Sequence, residues 1–588
     1  MSEREEVLTS FAALREQHHL RPRPNHERRL IFVTNRGPIE HGFGPQGEPV
    51  VERGAGGVVS GLLCAAHDRP VSWISLAMTA ADRAVARQNP AGIEAPAGLT
   101  QVLSRLVAIP EDAYRRHYDG FSNRVLWFVL HGMAPSRRPA ESTMRANWER
   151  GYAVANAAVA EATVRELRRQ GEQTPVMFHD YQIMLAPALV RERLPQARLQ
   201  HFIHTPWPAP AAWEHVPEDI VRALHYALAA NDVIGLQTPR DVAHFLSGIA
   251  RYCPDVRVDY AGRELFWNGR KIRVHDYPIA LTADVVVARS REPEARAQAA
   301  AVLDTLPRDA DHKLIMRVDR VEPTKNIVAG FRAYERLLRA HPELRGGVTF
   351  VAVLVPSREG LRQYRDYAAR VTRAVERINA RFGTPDWTPV VVVAGNSHQR
   401  ALACMRHFDV LLVNPLIDGM NLVAKEGAVV NRKRGVIVLS REAGAYAQLR
   451  HGVLGVNPTD IAMTSDVLYR ALSMPEHERA TLAGRLRAAL GEESAGGWLS
   501  AQLADLGRMR GVLIAPVASP ERAGDVATKV EAASDAAHIA AQIAQTQGAL
   551  FREAHGLAAA TPLAMAASDP IAGAGIRGGQ RLAPPPGW

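Results

Sequence analysis

Lysine is almost missing from this chain: six of its 71 basic residues are lysine and the rest are arginine. The arginines are spread along the whole length and nowhere form a run interleaved with aromatics, so the formal charge of +10 reads as a solvated, arginine-biased surface. No nucleic-acid partner is expected. Cysteine is scarcer still. Cys64, Cys253 and Cys404 lie far apart in apolar surroundings, match neither a disulfide framework nor a metal spacing, and read as buried thiols in a reducing compartment. No apolar run approaches the length of a membrane span, and the charged start Met-Ser-Glu-Arg-Glu-Glu has no apolar leader core. The expectation is a cytoplasmic protein with no membrane partner. No repeat of fixed period is apparent.

What the chain does have is strand-like apolar runs alternating with amphipathic helical stretches. They are Leu30–Thr34, Val176–Phe178, Leu199–Ile203, Val233–Leu236, Ile272–Val274, Leu314–Met316, Val348–Leu354, Val390–Val393, Val410–Val413 and Val436–Leu439. Continuous apolar strands separated by helices predict an α/β fold with parallel sheets covered on both faces. There are too many strands for one sheet, and the Tyr-Pro-Ile turn with the charged segment near Ala280 to Arg296 predicts a linker between two doubly wound halves facing across a cleft. Residues 1–28 read as a flexible arm, and the Ala-, Pro- and Gly-rich 515–588 as a largely disordered tail.

The chemistry-bearing residues cluster where strands end. Asp418-Gly-Met-Asn-Leu-Val-Ala-Lys-Glu426 follows the run Val410–Pro415 and leads into a helical pattern. Gly419 allows close backbone approach, Asn421 can cap the helix, and the free N–H groups of its first turn suit a diphosphate. Leu422 and Glu426 share a helix face, which puts the carboxylate one turn behind that site, within reach of a ribose. An ordinary capped helix with a solvated glutamate fits the same residues. Arg320 and Lys325 bracket a turn at which Pro323 and Thr324 mark a helix start, so both can reach one anion, Arg as a fork and Lys as a point charge. A solvated helix start fits there too. The scarcity of lysine makes its use at 325 and 425 a hint of a local requirement. Arg358 follows another strand end.

In the first half, Asn35-Arg36-Gly37-Pro38 follows the first strand, and Gly54-Ala55-Gly56-Gly57 precedes a helix near Val58, a loop that suits a phosphate or is simply a tight turn. Tyr118 and Trp127 lie in an aromatic stretch that is equally a piece of core. His179-Asp180-Tyr181 closes a strand. His201 and His204 invite a metal, but a third ligand at suitable spacing is missing, and Asp309-Ala-Asp311 precedes a strand rather than following one; no metal is expected.

In combination these residues resemble glycosyltransferase family 20, the trehalose-6-phosphate synthase family, over roughly 29–510. The matching segments, in order, are Thr34-Asn35-Arg36, Gly56-Gly57, Tyr118 to Trp127, His179-Asp180-Tyr181-Gln182, Arg320 with Lys325, and Asp418 to Glu426. The resemblance implies a GT-B fold of two Rossmann-like domains, an acceptor domain at 29–280 and a nucleotide-sugar domain at 281–490, with a terminal helix at 491–514 packing back on the first. It implies retaining transfer of glucose from UDP- or GDP-glucose to a sugar phosphate, without metal or cofactor, by a front-face route in which the leaving phosphate takes the acceptor proton. Arg320, Lys325, Asp418 and His179 would form the catalytic group. Gly57, Asn421, Leu422 and Glu426 would join Arg320 and Lys325 around the donor, with Glu426 on its ribose. Arg36, Tyr118, Trp127 and Arg358 would hold the acceptor phosphate. A homo-oligomer is compatible with the sequence.

The chain also departs from the family pattern. The Trp-Asp-x-Tyr segment with the acidic acceptor residue faces Trp148-Glu-Arg-Gly-Tyr152, one residue longer, which offers Glu149 as the counterpart. Ile417 stands where an arginine is usual and Asn326 where a glycine is usual. Asn35-Arg36-Gly37-Pro38 is similar to the divergent branch that includes validoxylamine 7'-phosphate synthase, which joins cyclitols. The leading expectation is a synthase of trehalose 6-phosphate, with a cyclitol-coupling or otherwise altered family 20 enzyme, and a non-catalytic sugar-phosphate sensor, as alternatives.

Overall fold

The computed structural model describes residues 29–509 apart from 44–48, 54–56, 95–100, 134–138, 308, 310, 396 and 492. The expected arm 1–28, the tail 515–588 and Gly54 to Gly56 of the glycine loop therefore lie outside the described residues.

Two sheets organise the chain. The first runs Arg257–Asp259, Glu264–Trp267, Arg270–Asp276, Val233–Leu236, Leu199–Phe202, Val176–His179, Leu30–Thr34, Val71–Leu76, Val102–Val107, Ile93–Glu94, from edge to edge. Its seven strands from Arg270–Asp276 to Val102–Val107 are all parallel; the strand Ile93–Glu94 at one edge and the hairpin Arg257–Asp259 with Glu264–Trp267 at the other are antiparallel. The second sheet is parallel throughout, in the order Val390–Ala394, Val348–Val355, Lys313–Arg320, Val410–Val413, Val436–Ser440, Leu454–Val456.

Alternation along these strands divides the side chains between two apolar layers. In the first lobe Ile31, Val33, Ile74 and Phe178 pack on one face, while Leu30, Phe32, Trp73 and Met177 pack on the other. In the second lobe Ile315, Phe350 and Leu412 face one way, and Leu314, Met316 and Leu411 the other. Burial on both faces is why these strands read as continuous apolar runs. The central strand Val71–Leu76 was not expected: Val-Ser-Trp-Ile-Ser-Leu carries two serines, both fully buried, and Ser72 Oγ donates to Glu166 at 2.5 Å.

Strand order fixes where ligands can go. Among the parallel strands of each sheet the order reverses once, between Leu30–Thr34 and Val176–His179 in the first and between Lys313–Arg320 and Val410–Val413 in the second. Open α/β sheets bind ligands beyond the carboxyl ends of their strands at such a point, where adjacent connections part to opposite faces. Arg36 and His179 sit at the first reversal, Arg320 and Asp418 at the second.

The chain passes between the lobes twice. After Asp276 it runs through Tyr277–Leu281 into helices Ala283–Arg289 and Pro293–Leu303, which pack on Leu422–Val430 and His398–Met405 of the second lobe. It returns after helix Glu476–Leu490, and helix Ala495–Arg508 lies against the first lobe. There Trp498 packs edge-on against Phe202 and donates to the Tyr277 carbonyl at 3.0 Å, and Gln200 bonds Gln502 at 2.5 Å. Lys425, fully buried, donates to the Ile279 carbonyl at 2.9 Å and to Glu493 at 2.8 Å. Among the described residues no helix is long and apolar enough to cross a membrane.

Candidate active site

The strand that ends at Arg320 is braced from beneath. Arg317, fully buried, pairs with Asp319 at 2.7 Å and donates to the carbonyls of Lys325 and Ile327 at 3.0 and 3.3 Å. These bonds fix the turn that presents Lys325. The turn is a short 3-10 stretch, Pro323–Lys325, and Asn326 then adopts φ of +56° before helix Ile327–Ala340 begins. Glycine takes that conformation without cost and asparagine is among the best-tolerated alternatives, which accounts for a glycine being usual there and for the chain managing with Asn. Asn326 also donates to the Pro458 carbonyl at 2.7 Å.

Lys325 Nζ meets Asp418 Oδ2 at 2.5 Å, and Asn421 Nδ2 donates to the same oxygen at 3.0 Å. Burial opposes the charge on Asp418, but the Lys325 ammonium outweighs it and holds the carboxyl below its ordinary range. Asn421, at φ of +68°, caps helix Leu422–Val430 by accepting the Ala424 N–H. On that helix Leu422 and Glu426 lie four residues apart on one face, and Glu426 meets His398 at 2.9 Å.

Glu322 joins the cations. Its Oε1 lies 3.2 Å from Arg320 Nη1 and accepts from Arg358 Nη1 at 3.1 Å and Ser357 Oγ at 2.9 Å, all while the side chain is fully buried. Burial works against its charge, yet Arg320, Arg358 and Lys325 bring the carboxyl down to about 2. Arg358, at φ of +47°, also donates to Tyr364 Oη at 2.7 Å. Burial disfavours its charge, but Glu322 more than compensates, so the guanidinium stays charged. From the first lobe, Trp127 offers its ring to both arginines, with Arg358 4.3 Å and Arg320 5.9 Å from the centroid.

The rest of the first-lobe wall comes from its own reversal point. His179 is fully buried, with Nδ1 3.3 Å from His204 Nε2 and its own Nε2 unpartnered among the described residues. Burial, with His204 and His201 beside it, pushes its pKa well below the usual value. Asp180, at φ of +73°, faces the backbone N–H groups of Tyr181, His204 and Thr205; burial nevertheless raises its carboxyl to about 6. Gly419 of the second lobe presses on the same segment: a Cβ there would stand 2.1 Å from the His204 carbonyl oxygen. His131 lies tilted against the Trp127 ring, with centroids 4.1 Å apart, and bonds the Trp127 carbonyl at 2.7 Å through Nδ1. A carbonyl only accepts, so Nδ1 carries the proton and Nε2 is a bare acceptor. Burial brings this ring down to about 4, and it feels the charges of Asp418, Lys325 and Glu322 across the cleft.

The structure thus brings Arg320, Lys325, Asp418 and Asn421 together on one wall and sets Trp127 and His131 opposite. Arg358 lies near Tyr118 and Tyr181 and donates to Tyr364. Arg36 pairs with Glu40 at 3.1 Å and reaches this group through Tyr114, which feels Arg36 and stacks on Tyr118 at 5.6 Å. Gly57 opens helix Gly57–Ala65. Glu149 stands apart: it is exposed, and no hydrogen bond or ion pair ties its side chain to the other named residues. The longer segment is absorbed by a π-helical turn, Trp148–Tyr152, which is how a helix takes up one extra residue. Gly151 lets that turn lie against a second π-helical stretch, Arg116–Leu126, since a Cβ there would fall 2.5 Å from the His117 nitrogen.

Glu322, His131 and Tyr364 were not singled out from sequence. For Glu322 a signal existed, an acidic residue placed between two cations at a strand end; the other two resemble ordinary core. Among the described residues no group of three or more His, Cys, Asp or Glu is placed to hold a metal.

Residues 28–508 match the model of glycosyltransferase family 20. The chain belongs to that family. This family 20 chain is 30% identical, over 77% of its length and 86% of the relative's, to an alpha,alpha-trehalose-phosphate synthase (UDP-forming) of Schizosaccharomyces pombe. It is 34% identical to a bifunctional trehalose-6-phosphate synthase/phosphatase of Thermoproteus tenax over 63% of its own length, spanning about half (49%) of that protein. Among solved structures it is similar to an alpha,alpha-trehalose-phosphate synthase (UDP-forming) of Burkholderia xenovorans in complex with glucose-6-phosphate, with TM-score 0.69 and 30% identity over 82% of this chain and 100% of the other. The fold is GT-B.

Proposed function

We propose that this chain is a retaining glycosyltransferase that moves glucose from UDP-glucose to glucose 6-phosphate and forms trehalose 6-phosphate. The observation that carries the reading is the pairing of Arg320 and Lys325, at the second reversal point, with Arg358 and Trp127 at the lobe boundary: two cationic sites side by side, one suited to a diphosphate and one to a phosphate monoester. The choice of substrates is supported by a UDP-forming relative and by a similar structure in complex with glucose-6-phosphate.

Residues 29–280 serve as the acceptor domain and 281–490 as the nucleotide-sugar domain. Arg320 and Lys325 neutralise the charge that grows on the departing diphosphate, the largest electrostatic demand of the reaction. Glu426 holds the ribose, and Asp418 and His179 hold the transferred ring. The bond from the anomeric carbon to the diphosphate oxygen breaks as the acceptor hydroxyl bonds the same face, and its proton passes to the leaving phosphate. Arg36, Tyr118, Trp127 and Arg358 hold the acceptor phosphate. The reaction is assigned to the cytoplasm, where free thiols such as Cys64, Cys253 and Cys404 persist.

The test is incubation of the full chain with UDP-, GDP- or ADP-glucose and glucose 6-phosphate, with nucleotide release and the anomeric configuration of the product read together. Arg320→Ala should abolish transfer, and Arg358→Ala should chiefly raise the acceptor KM. No disaccharide phosphate from any donor would favour a cyclitol-coupling acceptor; unchanged kinetics in both variants would refute the site.

A further inference from the structure

Two guanidinium groups held close together repel, and long arginine side chains are free to fan apart, so their convergence needs a cause. Arg320 ends one strand and Arg358 follows another, and both reach the same atom, Oε1 of Glu322. The two guanidinium groups therefore lie within two hydrogen-bond lengths of each other. Ser357 Oγ donates a hydrogen bond to the same oxygen at 2.9 Å, and the carboxylate is fully buried. The Trp127 ring bounds both cations on the other side.

We propose that Glu322 is a positioning residue that holds the donor-diphosphate arginine and the acceptor-phosphate arginine on one carboxylate oxygen, so that the two phosphate sites stand in fixed register. The inference rests on the roles given above to Arg320 and Arg358. It concerns how those sites are built rather than which sugar is moved. Its opposite is also physical: if Glu322 served only to offset charge, removing it would leave a more positive site that binds anions more tightly. Positioning predicts the reverse, because two unrestrained guanidinium groups separate and no longer converge on their phosphates.

The experiment compares wild type, Glu322→Gln, Glu322→Asp and Ser357→Ala as full-length chains. Calorimetry measures UDP, glucose 6-phosphate and glucose binding, kinetics give kcat/KM with glucose 6-phosphate and with glucose as acceptor, and thermal unfolding checks the fold. In Glu322→Gln, UDP and glucose 6-phosphate should each bind about tenfold more weakly, with glucose unaffected, and the preference for the phosphorylated acceptor should fall by a similar factor. Glu322→Asp should recover part of both losses. Ser357→Ala, which keeps every charge, should shift both sites two- to threefold in the same direction, and it carries the test should Glu322→Gln fail to fold. Tighter or unchanged phosphate binding, equal losses with both acceptors, or a loss at one phosphate site alone would overturn the proposal. If wild type binds UDP and glucose 6-phosphate in this Glu322-dependent way yet joins no sugars, the proposed reaction fails and the positioning role stands.

Discussion

Gly419 offers a perturbation whose size can be worked out from the backbone alone. A Cβ at this position would stand 2.1 Å from the His204 carbonyl oxygen and 3.2 Å from its carbon, whereas real Cβ contacts essentially never fall below 3.0 Å. Gly419→Ala therefore demands a displacement of about 1 Å, and the obstacle is main chain of the opposite lobe, which cannot rotate aside as a side-chain tip can. Overpacking of this kind costs about 1–3 kcal/mol of stability. The catalytic cost should be larger, because Asp418 next to Gly419 holds Lys325 and the move is paid in site geometry, where a 1 Å misplacement can cost about 100-fold. Gly427→Ala is the control: its Cβ would meet the Leu411 Cδ2 methyl at 2.4 Å, a side-chain tip inside the second lobe, and alanine favours the helix. Nucleotide release at saturating and limiting donor, beside urea unfolding of both variants, checks the pair. The reasoning fails if Gly419→Ala keeps wild-type kcat/KM, or if Gly427→Ala loses as much activity.

Three other outcomes are expected. Lys425→Met leaves Glu493 with Gln448 alone as a partner among the described residues and strips the Ile279 carbonyl of its donor, so urea unfolding should show a loss of about 3 kcal/mol. Asp180 has a folded pKa near 6, above the unfolded value of about 3.9, so the folded state holds the extra proton and stability falls as pH rises through that window. Asp180→Asn should therefore raise the melting temperature at pH 7.5, by the equivalent of up to about 3 kcal/mol, and change it little at pH 4, where both side chains are neutral. Replacing Asn326 by Gly relieves the left-handed backbone but loses the bond to Pro458, and should leave unfolding within about 1 kcal/mol of wild type.

How far the residues announced the structure follows from what each kind of signal encodes. Strands buried on both faces write themselves as apolar runs, so Leu30–Thr34, Val233–Leu236 and Val410–Val413 have the bounds read from sequence. Val71–Leu76 escaped because its two serines find partners or space only in the fold, and Lys313–Arg320 runs four residues past its apolar stretch because Arg317 and Asp319 neutralise each other inside. At the site, Arg320, Lys325 and Asp418 stand out as charges at strand ends. His131 and Tyr364 do not, since a buried ring looks alike in core and in cleft until the opposite lobe is in place. Glu149 was offered by counting along the chain, and a π-helical turn changes what counting means.

Lys425 puts the scarcest basic residue where the two crossings between the lobes meet. Its small ammonium ties Ile279, on the outward passage between the lobes, to Glu493, on the return passage, so both connecting segments are riveted at one point. Both crossings are thereby fastened, through one buried charge, to a single helix of the second lobe, Leu422–Val430.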